Sequence, residues 1–299
     1  MNDLPLVTIA IPTYNRVEYL KQALASAMAQ TYPNLEIVVS DNASTDETQK
    51  FMDEIMDKRV RCVRQANNLG MVGNWNLCLK NSRGDYFLLL SDDDLLDQNA
   101  IKILVDVFLK HPNSAFVYGK VLPFTEGQKI IIPKFDIPCV QESSDQIVQA
   151  FMTRGRPTFA CSILFRLTDK LRSKGYNPEY KLLFDAEFWI FEALRTGLPV
   201  RYTSELVGKY RLHDYNESQI AGTLVWYQES VKLLDSYINI KKLDQSTGFA
   251  RSARFRAMAR VASEIPRSRF ERLKQVTQLA FKYHPPSNLV LRHLARCLR

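Results

Sequence analysis

Three consecutive carboxylates, Asp92, Asp93 and Asp94, follow directly on an apolar run from Tyr86 to Leu90. Adjacent carboxylates repel one another, so three of them are a poor choice for a turn that has no other task. Hard divalent cations such as Mg²⁺ and Mn²⁺ prefer oxygen ligands and remove this repulsion when they bind. The sequence therefore predicts a cation site suited to a phosphate-bearing ligand, with a solvated acidic turn as the alternative.

The residues before this cluster alternate between short apolar runs and helical patterns. Residues 6–11, 35–40 and 60–63 are apolar and β-branched, which is typical of buried strands. A helix pattern follows each of the first two runs, and Ser44 or Thr45 is expected to cap the second helix. This alternation predicts a mostly parallel sheet covered by helices, whose ligands bind beyond the carboxyl ends of the strands. The residues expected at those ends are Thr13, Tyr14, Asp41 and Asp92 to Asp94.

Several motifs in the first two thirds of the chain stand in an order and spacing that resembles the family-2 glycosyltransferases of GT-A fold. They are Ile11-Pro12-Thr13-Tyr14-Asn15-Arg16, Asp41-Asn42-Ala43-Ser44-Thr45-Asp46, Asn68-Leu69-Gly70 with Asn76, Gly84-Asp85-Tyr86 and Ser91-Asp92-Asp93-Asp94. The resemblance covers residues 5–218. It implies an α/β fold with a GT-A Rossmann-like, mostly parallel sheet flanked by helices. It also implies inverting transfer of a sugar from a nucleotide-diphosphate donor.

The resemblance implies that the first loop and the Asp after the second strand hold the nucleotide base. An ionised Asp accepts hydrogen bonds only, which suits the ring N–H of uracil or guanine. The alternative for Asp41 is an Asp that merely favours the positive end of the following helix. Trp75 stands where many relatives carry an Arg that is expected to contact the donor. The nucleotide-binding candidates of these segments are Pro12, Thr13, Tyr14, Asn15, Asp41, Asn68, Gly70 and Asn76.

The acidic cluster aligns with the Asp-x-Asp site of the family in two ways. Many relatives read Asp-x-Asp-Asp, and in that register Asp93 takes the metal, Asp92 reaches the ribose and Ser91 replaces the first Asp. Read literally, Asp92 and Asp94 form the pair. All three stay candidates for Mn²⁺ or Mg²⁺, with Asp93 ranked first. The metal implied by the resemblance bridges the two donor phosphates and neutralises the charge that builds on the departing diphosphate.

Residues 183–190 predict an amphipathic helix with two carboxylates near its start, Asp185 and Glu187. The positive end of a helix favours anions there. Relatives usually carry Glu-Asp ahead of an aromatic-rich helix that ends in a Trp. Counting back from Trp189 places Asp185 on the Asp taken as the general base, and Phe184 replaces the Glu. Glu187 is the second candidate, and the alternative is that Asp185 only caps its helix.

A third polar segment follows a strand-like run that begins at Val207. Relatives often carry Tyr-Arg-x-His and then Asn-x-Ser at this place. The resemblance implies that His213 completes the metal's ligands and that Arg211 and Ser218 meet the diphosphate. The forked guanidinium of Arg suits a diphosphate because it can form two parallel hydrogen bonds. The alternatives are a structural His and an ordinary ion pair.

The composition predicts an enzyme of a reducing compartment, the cytoplasm. The 299 residues, 46% of them hydrophobic, suffice for a full core. Five scattered cysteines without a Cys-x-x-Cys pattern indicate free thiols. The first residues lack the basic and apolar regions of a signal peptide, and no run reaches the roughly 20 apolar residues of a membrane span.

The net charge of +8 resides in the last part of the chain. Residues 221–299 carry 15 Lys and Arg against 5 Asp and Glu, whereas the preceding residues carry 25 against 27. Helices are expected over residues 224–238, 248–263 and 266–283, with a short one after Pro286. The sequence therefore predicts a catalytic domain at 1–220 and a basic helical region at 221–299. The oligomeric state is left open.

A basic helical tail fits two roles. One is peripheral contact with anionic lipid on the inner face of the cell membrane. The other is a solvated bundle or a dimer surface. Nucleic acid is not expected as a partner, because no nucleic-acid motif accompanies the charge.

The function expected from these residues is metal-dependent sugar transfer. The donor is expected to be a nucleotide sugar, most often UDP-linked, and the acceptor a glycan or a lipid-linked intermediate of a cell-surface polysaccharide. The alternative is a catalytically degenerate protein that binds nucleotide sugars as a scaffold. A nucleotidyltransferase is disfavoured because Pro12-Thr13-Tyr14-Asn15 is not a Gly-rich triphosphate loop.

Overall fold

The computed structural model of the protein describes residues 4–126, 141–154, 159–213, 222–244, 247–264, 268–283 and residue 290. The chain divides into two compact units. The first comprises Met1–Ser144, Thr158–Pro178 and Phe184–His213, and the second comprises Asp145–Pro157, Glu179–Leu183 and Asp214–Arg299. The boundary predicted at residue 220 lies between residues 213 and 222, outside the described residues.

The described strands of the first unit form one sheet. They are β1 Val7–Thr13, β2 Leu35–Asp41, β3 Val60–Arg64, β4 Tyr86–Leu89, β5 Leu95–Leu96, β6 Phe116–Phe124, β7 Gln141–Glu142, β8 Ile163–Arg166 and β9 Val200–Arg211. Their order is β3-β2-β1-β4-β8-β6-β9-β5, and β7 pairs with β9. The sheet is parallel across β3, β2, β1 and β4. Beyond β4 it is mixed, because β8 is antiparallel to both β4 and β6.

Seven α-helices precede the basic region within the described residues, and all of them except the fifth belong to the first unit. They are α1 Val17–Met28, α2 Thr48–Asp53, α3 Gly70–Asn81, α4 Ala100–Lys110, α5 Ser144–Arg154, α6 Asp169–Lys174 and α7 Phe184–Thr196. Every residue of β1 is buried, as expected for a strand covered on both faces. The buried face of α1 repeats at helical spacing and joins the core around β1 through Leu20, Ala23, Leu24 and Ala27. The predicted α/β architecture is confirmed.

The turn between β2 and α2 differs from the prediction in its capping residue. Asp46 accepts hydrogen bonds from the Thr48 N–H at 3.1 Å and from the Val17 N–H at 3.0 Å, so one carboxylate serves the first turns of both α1 and α2. Burial alone would raise the pKa of Asp46, but these hydrogen bonds and that of the Thr48 hydroxyl hold it below its ordinary value. The expectation that Ser44 or Thr45 caps α2 is wrong, because Glu47 is the N-cap residue and the Ser44 and Thr45 hydroxyls both bond to Asn15 instead.

The three helices predicted for the basic region are present: α8 Gly222–Lys241, α9 Gly248–Glu264 and α10 Arg269–Tyr283. They lie in the second unit. The short helix predicted after Pro286 lies outside the described residues, except for residue 290. None of the helices that the structure describes combines the length and the apolar character needed to cross a bilayer.

Basic side chains of these helices are paired inside the second unit. Lys241 lies 2.9 Å from Asp145 and Arg254 2.8 Å from Asp235. Arg256 donates to the carbonyls of Phe151 and Met152, which belong to the last turns of α5. Part of the positive charge of the region therefore holds α5 and the tail helices together.

Candidate active site

The ends of three parallel strands bring the predicted site residues together. Thr13 at the end of β1 stands opposite Asp41 at the end of β2 in the strand register. β4 lies on the other side of β1, and its chain continues through Leu90 into the acidic cluster. The Thr13 hydroxyl donates to Asp92 Oδ2 at 2.8 Å. The prediction that these residues meet beyond the strand ends agrees with this geometry.

Asp41 is fully buried and both of its carboxylate oxygens have partners in the protein. Oδ1 accepts from the Ser44 N–H at 2.9 Å, and Oδ2 lies 2.6 Å from Arg64 Nη1. Asn15, in the left-handed region at φ 53°, accepts from the Thr45 N–H and so fastens the first loop to the second. Arg64, at the end of β3, was not predicted to take part, although its position at a strand end is a signal that could have found it.

The first loop exposes one aromatic side chain beside these buried groups. Tyr14 is 42% exposed, whereas Thr13 is buried and Pro12 pairs with Ser40 within the sheet. Tyr14 follows Thr13, the strand partner of Asp41, and its exposed ring offers an apolar face directly after this polar strand end. Such a combination suits a nucleotide base.

The segment from Asn68 to Asn76 is joined to the second loop by amide contacts. Asn42 donates to Asn68 Oδ1 at 2.8 Å, and the Gly70 N–H donates to the same oxygen. Gly70 adopts φ 72°, which favours glycine at this start of α3. The Asn76 side chain donates to the Tyr176 carbonyl at 3.0 Å and accepts from the Tyr176 N–H at 2.6 Å. In the structure Asn76 thus fastens α3 to the chain after α6.

The three carboxylates of the acidic cluster are buried but have different surroundings. Asp94 accepts from the Arg211 N–H at 3.0 Å and is hydrogen-bonded by the Cys161 thiol, which turns it toward the protein. Asp92 lies against Thr13 and is 3.5 Å from Arg16 Nη1. Burial and the neighbouring Asp93 raise the pKa of Asp92 to about 7, against the opposite effects of Arg16 and Thr13. The three carboxylates thus lie close together in buried surroundings, where burial and mutual repulsion disfavour the ionised forms of Asp92 and Asp94.

Asp93 faces a different set of groups. His213 Nε2 lies 2.9 Å from Asp93 Oδ2, and Arg16 Nη1 lies 3.4 Å from the same oxygen. The His213 ring stacks on Tyr19 with centroids 5.3 Å apart, which fixes the imidazole plane. Asp93 and His213 are thus the pair of candidate ligands that converge.

This pair fits a Mg²⁺ or Mn²⁺ ion that is completed by substrate. Within the described ranges, no group of three or more His, Cys, Asp and Glu side chains is arranged to hold a metal. Mg²⁺ is commonly bound through one or two carboxylates, waters and substrate phosphates rather than by an all-protein cage. Neutral imidazole is a common metal ligand in proteins. The Asp93 carboxylate supplies the oxygen ligand of such a site, and the His213 imidazole lies 2.9 Å from it.

Arg211 is buried and its guanidinium is used within the protein. Nε donates to the Asp93 carbonyl at 2.8 Å, Nη1 to Glu126 at 2.8 Å and Nη2 to Gln22 at 2.7 Å. The guanidinium also lies over the rings of Tyr19 and Phe124. In the structure Arg211 holds the backbone of the acidic cluster in place. Ser218 lies outside the described residues.

The two carboxylates predicted to serve as base lie in the first turn of α7. Asp185 is half-buried, and its Oδ1 accepts from the Ala186 N–H at 2.6 Å. Glu187 is buried, with its Oε2 3.9 Å from Lys174 Nζ. Burial lowers the pKa of Lys174, against the opposite effect of Glu187. Asp185 is therefore the more accessible of the two carboxylates.

Residues 8–166 match the sequence profile described as Glycosyl transferase family 2, which is more than half of the chain. The chain belongs to glycosyl transferase family 2. The predicted resemblance is thereby confirmed, and with it the expectation that the protein is a glycosyltransferase.

Curated relatives of this glycosyltransferase agree with the family. An uncharacterised glycosyltransferase of Rickettsia typhi, RT0329, is 31% identical over 73% of this chain and 67% of its own length. The Escherichia coli enzyme WfaP, named as a UDP-Glc:alpha-D-GlcNAc-diphosphoundecaprenol beta-1,3-glucosyltransferase, is 28% identical over 70% of this chain and 78% of its own.

Solved structures establish the fold of the glycosyltransferase. Staphylococcus aureus TarS 1–349 in complex with UDP-GlcNAc superposes with a TM-score of 0.66, covers 98% of this chain and 88% of its own, and is 15% identical. The mannosyltransferase PcManGT from Pyrobaculum calidifontis, in complex with GDP-Man and Mn²⁺, gives a TM-score of 0.58 at 17% identity and covers 99% and 87%. The predicted GT-A fold with additional C-terminal helices is confirmed.

Proposed function

We propose that this glycosyltransferase is an inverting, metal-dependent enzyme that moves a sugar from a UDP-sugar to a hydroxyl of a glycan, plausible acceptors being lipid-linked intermediates of a cell-surface polysaccharide. The observation that carries the proposal is the convergence of Asp93 and His213 next to buried Asp92 at the strand ends. Residues 1–220 are proposed as the catalytic domain and 221–299 as its helical region.

The nucleotide is proposed to bind over the ends of β1 and β2. Asp41, held by Ser44 and Arg64, supplies an acceptor for a ring N–H of the base, and Tyr14 supplies an exposed aromatic face. Asp92 lies one residue from Asp93 and beside Thr13, which suits a contact with the ribose. Pro12, Asn15, Asn68 and Gly70 shape the loops that carry these groups. A direct nucleotide contact by Asn76 and a diphosphate contact by Arg211 or Ser218 stay predictions.

The diphosphate is proposed to lie beside Asp93 and His213. A bound Mn²⁺ or Mg²⁺ supplies Lewis-acid stabilisation of the negative charge on the departing diphosphate. Arg16 approaches Asp92 and Asp93 within 3.5 Å and brings a positive charge to the same place. Arg211 keeps the backbone of the acidic cluster fixed, so its carboxylates do not need to reorganise when charge develops.

The acceptor is proposed to be activated by Asp185. Its carboxylate takes the proton of the acceptor hydroxyl as the hydroxyl oxygen bonds to the anomeric carbon. The bond from the anomeric carbon to the phosphate oxygen breaks on the opposite face, and its electron pair leaves with the nucleoside diphosphate. Attack opposite the leaving group inverts the anomeric centre. Glu187, buried beside Lys174, is the less suited candidate.

The donor and acceptor classes are supported by the named proteins. WfaP is named for a UDP-Glc donor and a diphosphoundecaprenol-linked acceptor, and TarS has been crystallised with UDP-GlcNAc. PcManGT binds GDP-Man, so a guanine nucleotide is the competing choice.

Donor hydrolysis and transfer test the proposal. Purified protein is incubated with UDP- or GDP-sugars, with Mn²⁺, Mg²⁺ or a chelator, and with or without a lipid-diphosphate-linked GlcNAc acceptor. We expect metal-dependent release of UDP from one UDP-sugar, faster with acceptor. Release from GDP-sugars alone would show that the nucleotide assignment is wrong. UDP binding without release under every condition would favour the degenerate, scaffolding alternative.

Peripheral membrane contact is proposed as a second property of the basic region. Lys242, Arg251, Lys274 and Lys282 are exposed, and Phe281 is 74% exposed on the same helix as the last two. Exposed Lys and Arg bind anionic headgroups, and salt weakens that binding. We expect the protein to float with phosphatidylglycerol vesicles at low salt and not with phosphatidylcholine vesicles. Equal behaviour with both vesicles would contradict the proposal.

A further inference from the structure

The chain just before α7 is held by one side chain of the tail. The Glu229 carboxylate, on α8, accepts hydrogen bonds from three consecutive backbone N–H groups. These belong to Lys181 at 2.5 Å, Leu182 at 2.9 Å and Leu183 at 2.7 Å. Glu229 is 7% exposed, so its charge is offset by these N–H groups rather than by water. Hydrogen bonds to a charged acceptor are stronger than those between neutral groups.

A second contact from the same face of α8 holds the same segment. Lys232, one turn after Glu229, lies 2.6 Å from Glu179 and over the ring of Tyr180. This pair is exposed, with its side chains 42% and 69% accessible, so it contributes little to stability. The buried contact of Glu229 is therefore expected to stabilise the segment more than the exposed pair of Lys232 and Glu179 does.

The segment that Glu229 holds, residues 181–183, leads directly into α7, the helix that carries the proposed base. Leu183 is the residue before α7, which begins at Phe184, and Asp185 is the second residue of the helix. The first N–H groups of a helix have no partner within the helix, and a residue outside it must satisfy them. Glu229 accepts the hydrogen bond of the Leu183 N–H in this way, and it also holds the N–H groups of Lys181 and Leu182. Glu229 stands 44 residues after Asp185 in the chain, so a side chain distant in sequence holds the segment that precedes α7.

We propose that Glu229 is a positioning residue for sugar transfer, through which the C-terminal region sets the start of α7 and hence the place of Asp185. The inference rests on the proposed role of Asp185 as general base. A displacement of about 1 Å of a catalytic group can cost about 10²-fold in rate. The C-terminal region then contributes to catalysis by positioning Asp185, in addition to any contact with lipid.

Two variants and a control test the proposal. Glu229→Gln keeps the side-chain shape but replaces one acceptor oxygen by an NH₂ group that faces backbone donors. Glu229→Asp keeps the charge on a shorter side chain. Lys232→Met removes the neighbouring exposed ion pair on the same helix face and serves as the matched control. UDP affinity and the melting temperature report whether each variant is folded.

Hydrogen exchange is the first readout because it does not depend on turnover. In Glu229→Gln, the peptide that contains residues 181–188 is expected to exchange faster, while peptides of β1 and β4 are unchanged. Glu229→Asp is expected to fall between Glu229→Gln and the wild type, and Lys232→Met to match the wild type. Unchanged exchange of this peptide in Glu229→Gln would overturn the proposal whatever the activity.

Kinetics provide the second readout. Glu229→Gln is expected to lower kcat about 10- to 100-fold with little change in the donor KM, and Glu229→Asp to restore part of the loss. In an Asp185→Asn background the Glu229→Gln change is expected to add nothing, because both act through one group. An equal loss in both backgrounds, or a loss of UDP affinity that parallels kcat, would show a merely structural role. Wild-type activity in Asp185→Asn would refute the assigned base, while hydrogen exchange still decides whether Glu229 fixes the segment.

Discussion

Asp185→Asn is expected to lower the rate of sugar transfer about 10²- to 10⁴-fold. The amide has nearly the same shape as the carboxylate, and the Asn oxygen can still accept the Ala186 N–H that Asp185 accepts in the wild type. The substitution therefore removes the proton acceptor while it keeps the local fold. The measurement is kcat with a saturating UDP-sugar and acceptor, beside the affinity for UDP determined calorimetrically.

Asp169→Asn is the matched control for this substitution. Asp169 also lies in the first turn of a helix, α6, but its side chain is fully exposed and pairs with Arg172. Both changes remove one negative charge from a helix N-terminus, so a helix-dipole effect would appear in both variants. We expect kcat to fall only in Asp185→Asn, with UDP affinity unchanged in both. Wild-type turnover in Asp185→Asn and loss in Glu187→Gln would transfer the role to Glu187.

The parts of the fold that local pattern determines could be predicted from the sequence. Apolar β-branched runs gave β1, β2 and β3 within one or two residues, and helical periodicity gave α1 and the three tail helices. The acidic cluster, the first loop and Asp41 could be placed at one edge because parallel strands end on the same side of a sheet. These features depend on neighbours in sequence or on a general rule of topology.

The partners of the site residues could not be predicted, because they depend on side chains far apart in the chain. Arg16 reaches Asp93 across 77 residues, and His213 reaches it across 120. Asn76 was assigned to the nucleotide from its motif, yet its amide bonds to the backbone of Tyr176, 100 residues later. A motif identifies a residue type at a place, while tertiary packing decides which atoms it meets.

The wrong prediction of the α2 cap and the unpredicted strand order beyond β4 both arise from contacts between distant parts of the chain. Ser44 carries a good capping hydroxyl, but the Asn15 N–H of the first loop takes it, and Asp46 supplies the acceptor for α2. The strands β6, β8 and β9 pair in an order that differs from their order in the chain, and no local pattern encodes that order. The sequence offers several possible acceptors for the first N–H groups of α2 and several possible neighbours for each strand, and only the packed structure selects among them.

The structure gives different surroundings to the three carboxylates, among which the sequence ranked Asp93 first and kept the other two as candidates. Asp94 is turned toward the Arg211 N–H and Cys161, and Asp92 toward Thr13. Asp93 shares its Oδ2 with His213 and Arg16. Of the three, Asp93 is therefore the one expected to respond to a metal.

Asp93→Asn is expected to remove the proposed metal dependence and to lower transfer about 10³-fold, the effect of losing several kcal/mol of charge stabilisation. In the wild type, Mn²⁺ is expected to raise the affinity for UDP, because Asp93 and His213 would hold the ion together with the diphosphate. In Asp93→Asn, calorimetry is expected to give the same UDP affinity with Mn²⁺ and with a chelator. Asp92→Asn makes the same change of charge one residue away and is expected to keep the Mn²⁺ response.

The wild type stripped by a chelator and Asp93→Asn with Mn²⁺ should then transfer sugar at the same residual rate, because both lack the same stabilisation of the leaving diphosphate. His213→Gln in the Asp93→Asn background should lower that rate no further, since two ligands of one ion act as a unit and their effects do not add. An Mn²⁺ response that survives in Asp93→Asn and disappears in Asp94→Asn would assign the ion to the literal Asp-x-Asp pair. That result would require Asp94 to leave the Arg211 N–H, so faster hydrogen exchange of that amide would reveal a rearranged loop.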